Sequence, residues 1–394
     1  MYSFNRVRRS LLLAFIALPS VAVLERALKV LLAPAADTGA SLGSLFYLVC
    51  FVLIYPRLLE FLSNNRRATL LFCCMLGLTL LSFLVIYPLH DSGVLGFYSD
   101  RDEALDIGAL RLLSLENPYS CTAISGVHQG CPAGGNPLAP LPGGFILAAP
   151  FVLLFGLSAV QNLFWLPALF FQVRAFLESS GTASAVLTSL MLLNPVILAE
   201  ILSGGDHLAN TIAVSIGLLG MLKSNSPPKL VAWGCFLGVA CAWRAHFLLA
   251  AIPCLTFYLA RGQHSRILSV GGAAAVTFLA LLMPVFLMSS KEFSPLQTQT
   301  KLEAFSHLLP HPTVWALIAA SCFGLWAGWR AIGLSSLLIA VGITINIPIL
   351  IAVILNSLGA GAVTFHFYGW YLVGGSLLAA LGDSLREAAV KTHA

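Results

Sequence analysis

Apolar runs of about twenty residues recur along this chain, and they restrict it to one kind of architecture. A helix that crosses the hydrocarbon of a bilayer needs roughly 20 apolar residues. Such runs stand at 11–33, 42–62, 68–89, 158–177, 183–203, 208–222, 267–288, 313–331, 334–356 and 363–382. The stretch 229–260 is longer than one span and is interrupted by Trp243-Arg244-Ala245-His246, so it reads as two short helices with a break at one membrane face. Lipid offers backbone N–H and C=O groups no partner, so the expected fold is an all-α polytopic bundle of about twelve transmembrane helices. A chain of 394 residues that is 58% hydrophobic and only 9% charged is excluded as a water-soluble domain of ordinary composition. Arg6, Arg8 and Arg9 ahead of the first run, with Ala33-Pro34-Ala35 after it, imitate a cleavable leader. The run is too long for that and further spans follow, so it is read as a retained first helix.

Lys and Arg favour cytoplasmic loops, so their placement sets the topology. The net charge of +5 carries no nucleic-acid signal. Arg6, Arg8 and Arg9 put the N-terminus inside, Arg66 and Arg67 return to the inside after two spans, and the third span delivers 90–142 to the outside. Lys223, Lys229, Arg261, Arg266, Arg330, Arg386 and Lys391 also want the inside, which requires one apolar stretch between 143 and 203 not to cross. Gly143–Gly156, short and preceded by Pro137, Pro140 and Pro142, is assigned to the outer interface as a juxtamembrane helix. The other solution, in which it crosses and a different span fails, stays open. The resulting organisation is 1–90, N-terminal transmembrane helices; 91–157, an extracytoplasmic acidic loop with the juxtamembrane helix; and 158–394, the transmembrane bundle.

The acids are concentrated where lipid cannot be. Asp91, Asp100, Asp102, Glu103, Asp106 and Glu116 are six of the 16 Asp and Glu residues. Carboxylates gathered at a membrane surface can act as a general base or hold a cation. Ser99 to Leu115 reads as an amphipathic helix with Leu105, Ala109, Leu112 and Leu113 on one face and Asp102 and Asp106 on another. A purely local role is equally available, since Ser99-x-x-Asp102 matches a capping box.

Three further groups stand out. Ser203-Gly204-Gly205-Asp206-His207-Leu208-Ala209-Asn210 suggests a tight turn opening into a helix. There Asp206 either caps the helix or, with His207, meets a polar substrate. Arg244, beside His246, needs either a structural acid such as Glu200 or an anion, and its planar fork suits phosphate. Thr364-Phe-His366-Phe-Tyr-Gly-Trp-Tyr371 places a histidine among aromatics, where it either contacts a sugar or lipid head or belongs to an interfacial belt. Lys291 and Lys301 either add to a phosphate site or, the preferred reading, are simply solvated. Of the nine cysteines, Cys121 and Cys131 lie in the polar loop and could close a disulfide if that loop faces an oxidising compartment. The other seven read as small core residues. No nucleotide-binding glycine loop, zinc-protease helix or nucleophile elbow is present.

The order of these features resembles the GT-C membrane glycosyltransferases, especially bacterial polyprenyl-phosphate-mannose-dependent mannosyltransferases. The residues that carry the resemblance are Asp100-Arg101-Asp102-Glu103, Ala109-Leu-Arg-Leu-Leu113, Glu116-Asn117-Pro118-Tyr119, Asn136-Pro-Leu-Ala-Pro-Leu-Pro142 and Asn194-Pro195 with Gly204-Gly205-Asp206-His207. They span roughly residues 95–260, and no single motif is specific. The turn reads Gly-Asp-His-Leu where the family tends to His-Asn-Asp, and Arg244 stands where relatives often carry a lysine.

The resemblance implies a GT-C-like bundle with a large first extracytoplasmic loop. It also implies transfer of a sugar, mannose or another hexose or pentose, from a polyprenyl-phosphate donor to a glycolipid or glycan acceptor at the outer face of the cell membrane. Membrane lipid is then a partner and nucleic acid is not. In that role Asp102 is the expected base, with Asp100 or Glu103 as substitutes. Asp106, Asn117, Tyr119, Asp206, His207, Arg244, His246 and His366 are expected to line the substrate site. Positive charge for the departing phosphate would come from Arg244 or a divalent cation; no metal ligands are assigned. The rival reading is a transporter or flippase for a polar or lipid-linked solute, against which stands the lack of an internal repeat. A non-catalytic scaffold would leave the acid cluster unexplained.

Overall fold

The computed structural model describes residues 2–31, 36–65, 67–94, 99–119, 138–288, 290, 293–361 and 365–392. Cys121, Cys131, Asn136, Pro137 and Lys291 lie outside the described residues. The seven described cysteines are free thiols. No strand occurs among the described residues.

The helices in chain order begin with α1 Tyr2–Leu31, α2 Ala36–Ser63, α3 Ala68–Asp91, α4 Arg101–Leu113, α5 Pro142–Phe155 and α6 Gln161–Leu177. Next come α7 Ser180–Leu193, α8 Pro195–Leu202, α9 Asp206–Lys223, α10 Pro227–Cys241 and α11 Ala251–Leu259. A short α12, His264–Arg266, runs through a π-helical turn into α13 Ala273–Met288. The chain ends with α14 Thr298–Glu303, α15 Pro312–Arg330, α16 Leu334–Ala360, α17 Phe365–Tyr368 and α18 Val373–Thr392.

Among the described residues, six helical segments are long and apolar enough to cross a membrane: Val7–Lys29, Gly39–Ser63, Ala68–Asp91, His264–Met288, Pro312–Arg330 and Leu334–Ala360. On α3 the apolar side chains lie on the outside, with Leu81 61% and Val85 65% exposed, as a lipid-facing surface requires. Counting each bent helix pair as one span raises the number to eight. The other runs in the sequence form shorter or more polar helices. α10 has 15 residues and α11 nine, while α9 carries Asp206, His207, Asn210 and Lys223.

The breaks have identifiable causes. The run 183–203 is bent by 80° between α7 and α8. The residue before a proline is pushed out of helical conformation, and Asn194, ahead of Pro195, adopts φ −116° and ψ 85°. The groups freed there find partners: the Tyr47 hydroxyl donates to the Leu193 carbonyl over 2.6 Å, and Ser20 Oγ accepts the Val196 N–H over 3.4 Å. α5 and α6 meet at 106°, α5 ending on Gly156 with φ +77°. The stretch 229–260 breaks after Cys241, where the carbonyls of Ala242 and Trp243 accept the N–H groups of Gly143 and Leu141 over 2.7 and 2.8 Å. α5 comes so close there that a Cβ on Gly143 would sit 2.1 Å from the Val239 carbonyl oxygen.

The chain forms two compact units. The first comprises Met1–Thr79, Val173–Ala199 and Phe305–Ala394, and the second Leu80–Gln172 and Glu200–Ala304. In the first, α16 and α18 run antiparallel, with Gly342 against Gly375 and Ser335 against Gly382. Asn346, fully buried, donates its amide to the Leu372 carbonyl over 2.8 Å and accepts the Gly375 N–H over 3.2 Å. It thereby satisfies one of the donors that a helix start leaves without an internal partner. Asn346→Leu is expected to lower stability by about 2 kcal/mol, because a buried donor and acceptor lose their partners together. Thermal unfolding in detergent checks this.

Candidate functional site

The candidate site is built within the second unit. α4 has Asp100 as its N-cap, with no side-chain cap bond, so the expected Ser99–Asp102 capping box does not form. Ser99 Oγ instead accepts from Arg101 Nε over 3.1 Å. Asp102 turns inward and is only 2% exposed. Its Oδ2 accepts the Tyr87 hydroxyl over 2.7 Å, while Oδ1 is buried with no hydrogen bond. The Tyr87 ring is fixed by stacking on Phe83 at 4.8 Å. Leu105 and Ala109 bury one face of α4 as expected, but Leu113 is exposed.

A second bond set pins α4. Asp106 Oδ1 accepts the Ser158 N–H over 2.7 Å, and Ser158 Oγ donates to the Asp102 carbonyl over 3.3 Å. Burial pushes the Asp102 carboxyl up to about 7, opposed by the Tyr87 hydrogen bond. Burial also lifts Asp106 to about 6, opposed by the bond from Ser158.

The turn after α8 comes up against Asp102. Gly204 has φ +66°, and a Cβ there would lie 2.3 Å from Asp102 Oδ2 and 2.9 Å from the Tyr87 ring. Glycine is required on both counts, the left-handed backbone and the close approach. Gly204→Ala is expected to cost about 2 kcal/mol by overpacking and strain. It should also disturb the Tyr87–Asp102 contact; thermal unfolding registers the loss.

Two buried ion pairs flank the turn. Arg101 Nη1 donates to Glu200 Oε1 over 2.7 Å, and Glu200 Oε2 accepts the Leu208 N–H over 3.2 Å. Arg244 grips Asp206 with both arms, Nε to Oδ2 and Nη2 to Oδ1, each 2.7 Å, and Trp243 Nε1 adds a third bond over 3.1 Å. The sequence left Arg244 either a structural acid, with Glu200 as the example, or an anion. The acid it holds is Asp206, while Glu200 goes to Arg101, because the Gly204–Gly205 turn sends the two acids to different arginines. Nor does Asp206 cap α9, since the N-cap is Gly205 and the Asp206 carboxylate is taken by Arg244 and Trp243. Asn162 holds the turn from the other side, donating to the Gly205 carbonyl over 2.8 Å. His207, next to Asp206, has its ring centroid 5.7 Å from that of His246, whose Nε2 is buried with no hydrogen bond.

Asp102, Asp206, His207, Arg244 and His246 therefore all belong to the second unit, Asp102 packed against Gly204 and Arg244 bound to Asp206 two residues on. Other expected site residues are placed differently. Glu103 stands on α4 and is partly exposed, like Asp100. Asn117 Oδ1 accepts the Tyr119 N–H over 3.0 Å. Tyr119 is 1% exposed, donates to the Pro140 carbonyl over 2.7 Å and packs between Phe145 and Phe293. His366 is in α17, in the first unit, and its side chain lies outside the described residues.

Tyr87, Glu200's partner Arg101, Gln161 and Asn162 were missed as site residues. Gln161 is fully buried with neither end of its amide hydrogen-bonded. A polar Gln-Asn pair opening an apolar run was the signal that could have found Gln161 and Asn162.

Among the described residues no three His, Cys, Asp or Glu side chains are grouped as metal ligands. Glu200 and Asp206 are already committed to arginines. Compared with protein-family models, with curated proteins and with solved structures, the chain gives no match.

Proposed function

We infer that this chain is a membrane glycosyltransferase of GT-C type. It moves mannose or another hexose or pentose from a polyprenyl-phosphate donor to a glycolipid or glycan acceptor at the outer face of the cell membrane. The bundle of about twelve crossings, with its large outer loop, belongs to this reading and draws on the shorter helices as well as the long ones. One observation carries the assignment of the chemistry. Asp102 is a buried carboxylate with one oxygen oriented by Tyr87 and the other free to accept a proton. A base is most effective when its pKa lies near the working pH, which is where burial has moved this group.

The step balances as a displacement at the sugar's anomeric carbon. The acceptor hydroxyl gives its proton to Asp102 Oδ1 while its oxygen bonds to the anomeric carbon. The bond from that carbon to the donor phosphate breaks, and polyprenyl phosphate leaves with the electron pair. Arg244, held by Asp206 through Nε and Nη2, has Nη1 left to meet that phosphate. Because Asp102 is so enclosed, the acceptor has to displace a neighbour to reach it, and the Gly204–Gly205 turn is the smallest one.

Supplying a panel of radiolabelled polyprenyl-phosphate sugars to membranes that contain the chain tests this. Label should pass to a lipid or glycan acceptor from one of them. Label that crosses the membrane still attached to its carrier would replace transfer with transport.

A further inference from the structure

A cavity of about 790 Å³ lies in the first unit. Its walls come from α1, α16 and α18. One end is basic, with Arg8 and Arg9 from α1 and Arg386 from α18. The rest is hydrocarbon, including Leu12 and Phe15 of α1 and Ile343 of α16. Along α16 the wall runs from Ile339 to Leu350, about 16 Å at the helical rise per residue. That matches the hydrocarbon depth of one leaflet, roughly half of 30 Å.

The charges at the basic end are ordered. Asp383, fully buried, sits between two arginines, 3.3 Å from Arg9 Nη2 and 2.6 Å from Arg386 Nη2. Arg9 Nη1 also reaches Glu387 at 3.1 Å. Arg9 and Arg386 thus share Asp383, and Arg9 holds Glu387 as well. The acid between the two arginines fixes their guanidinium planes and leaves N–H donors of the half-exposed Arg386 for an outside acceptor. Arginine forks match phosphate oxygens, and basic pockets between membrane helices suit anionic lipid heads.

We propose that this groove binds one anionic phospholipid of the cytoplasmic leaflet, with its phosphate at Arg8, Arg9 and Arg386 and an acyl chain lying between α1 and α16. The leaflet follows from the basic N-terminus, which belongs on the cytoplasmic side. Charge complementarity and leaflet-length depth select this occupant. A zwitterionic lipid would bring a second cation to an arginine cluster, and a small phosphate ester would leave the hydrocarbon wall uncovered.

The test is native mass spectrometry of the full chain in detergent with added phosphatidylglycerol, phosphatidylcholine or glycerol phosphate. One phosphatidylglycerol should be retained per chain and phosphatidylcholine released. Arg8→Gln combined with Arg386→Gln should weaken retention roughly thirtyfold. Both side chains are exposed enough that Arg9 still holds Asp383. Ile343→Trp, which fills the groove without touching the charges, should abolish retention of the lipid. Equal retention of phosphatidylcholine, unchanged retention in the double variant, or displacement of the lipid by glycerol phosphate at equal concentration would each overturn the proposal. If the double variant unfolds, the Ile343→Trp result decides alone.

Discussion

Asp102→Asn is expected to lower sugar transfer by about 10²–10⁴-fold, the usual contribution of a positioned acid–base group. The substitution keeps the size of the side chain and the oxygen that accepts from Tyr87, so geometry survives while the proton acceptor is lost. Transfer by the wild type should fall below about pH 7, where burial holds the Asp102 proton. The sign of the stability effect separates this role from a structural one. The carboxyl pKa is raised in the folded state, from 3.8 to about 7, so the folded protein holds the proton more tightly than the unfolded chain. Its contribution to stability is greatest at low pH and is lost as pH rises through that interval. The asparagine variant should therefore be at least as stable as the wild type at pH 8, with little transfer. Full activity in a folded Asp102→Asn protein removes Asp102 from the chemistry, and a variant less stable at pH 8 assigns it a structural role.

Asp206→Ala is expected to cost about 3–5 kcal/mol, because it strands the charge of Arg244 in a buried setting. The Trp243 indole loses its acceptor in the same change. Arg244→Ala alone should cost a similar amount by leaving the buried Asp206 carboxyl without its charge partner, held only by Trp243. The double variant should cost clearly less than the sum, since each single change already breaks the pair. Thermal unfolding of the three variants gives the coupling directly, and additive costs would mean that the two side chains do not depend on each other. Loss of transfer should exceed the loss expected from stability if Arg244 also meets a phosphate.

Much of the helical framework could be read from hydrophobicity alone, because a run of twenty apolar residues has few other uses. The interruption at Trp243–His246 was also legible, since an arginine inside such a run demands a local explanation. The bend at Asn194–Pro195 was harder to see. The run is apolar on both sides of it, and two of the groups that the break frees are taken by the side chains of Ser20 and Tyr47, far away in sequence. The partner of Arg244 was out of reach for a related reason. Glu200 and Asp206 flank the same glycines, and the backbone of Gly204 decides which way each acid is carried. Arg101 and Asp102 are adjacent, so a helix turns them about 100° apart. One reaches Glu200 and the other Tyr87, a division that composition cannot reveal.

The backbone bonds from Leu141 and Gly143 to Trp243 and Ala242 have a consequence for biogenesis. Roughly 100 residues separate donors from acceptors, about 5–20 s of ribosomal synthesis. Throughout that interval the start of α5 has amide groups that must be hydrated or held by something else, so it cannot settle dry into lipid. A nascent chain halted before Ala242 should keep this segment open to water-borne thiol reagents at an introduced cysteine, and release past Trp243 should close it. The helix break in the second half of the chain thus sets when the first half can finish folding.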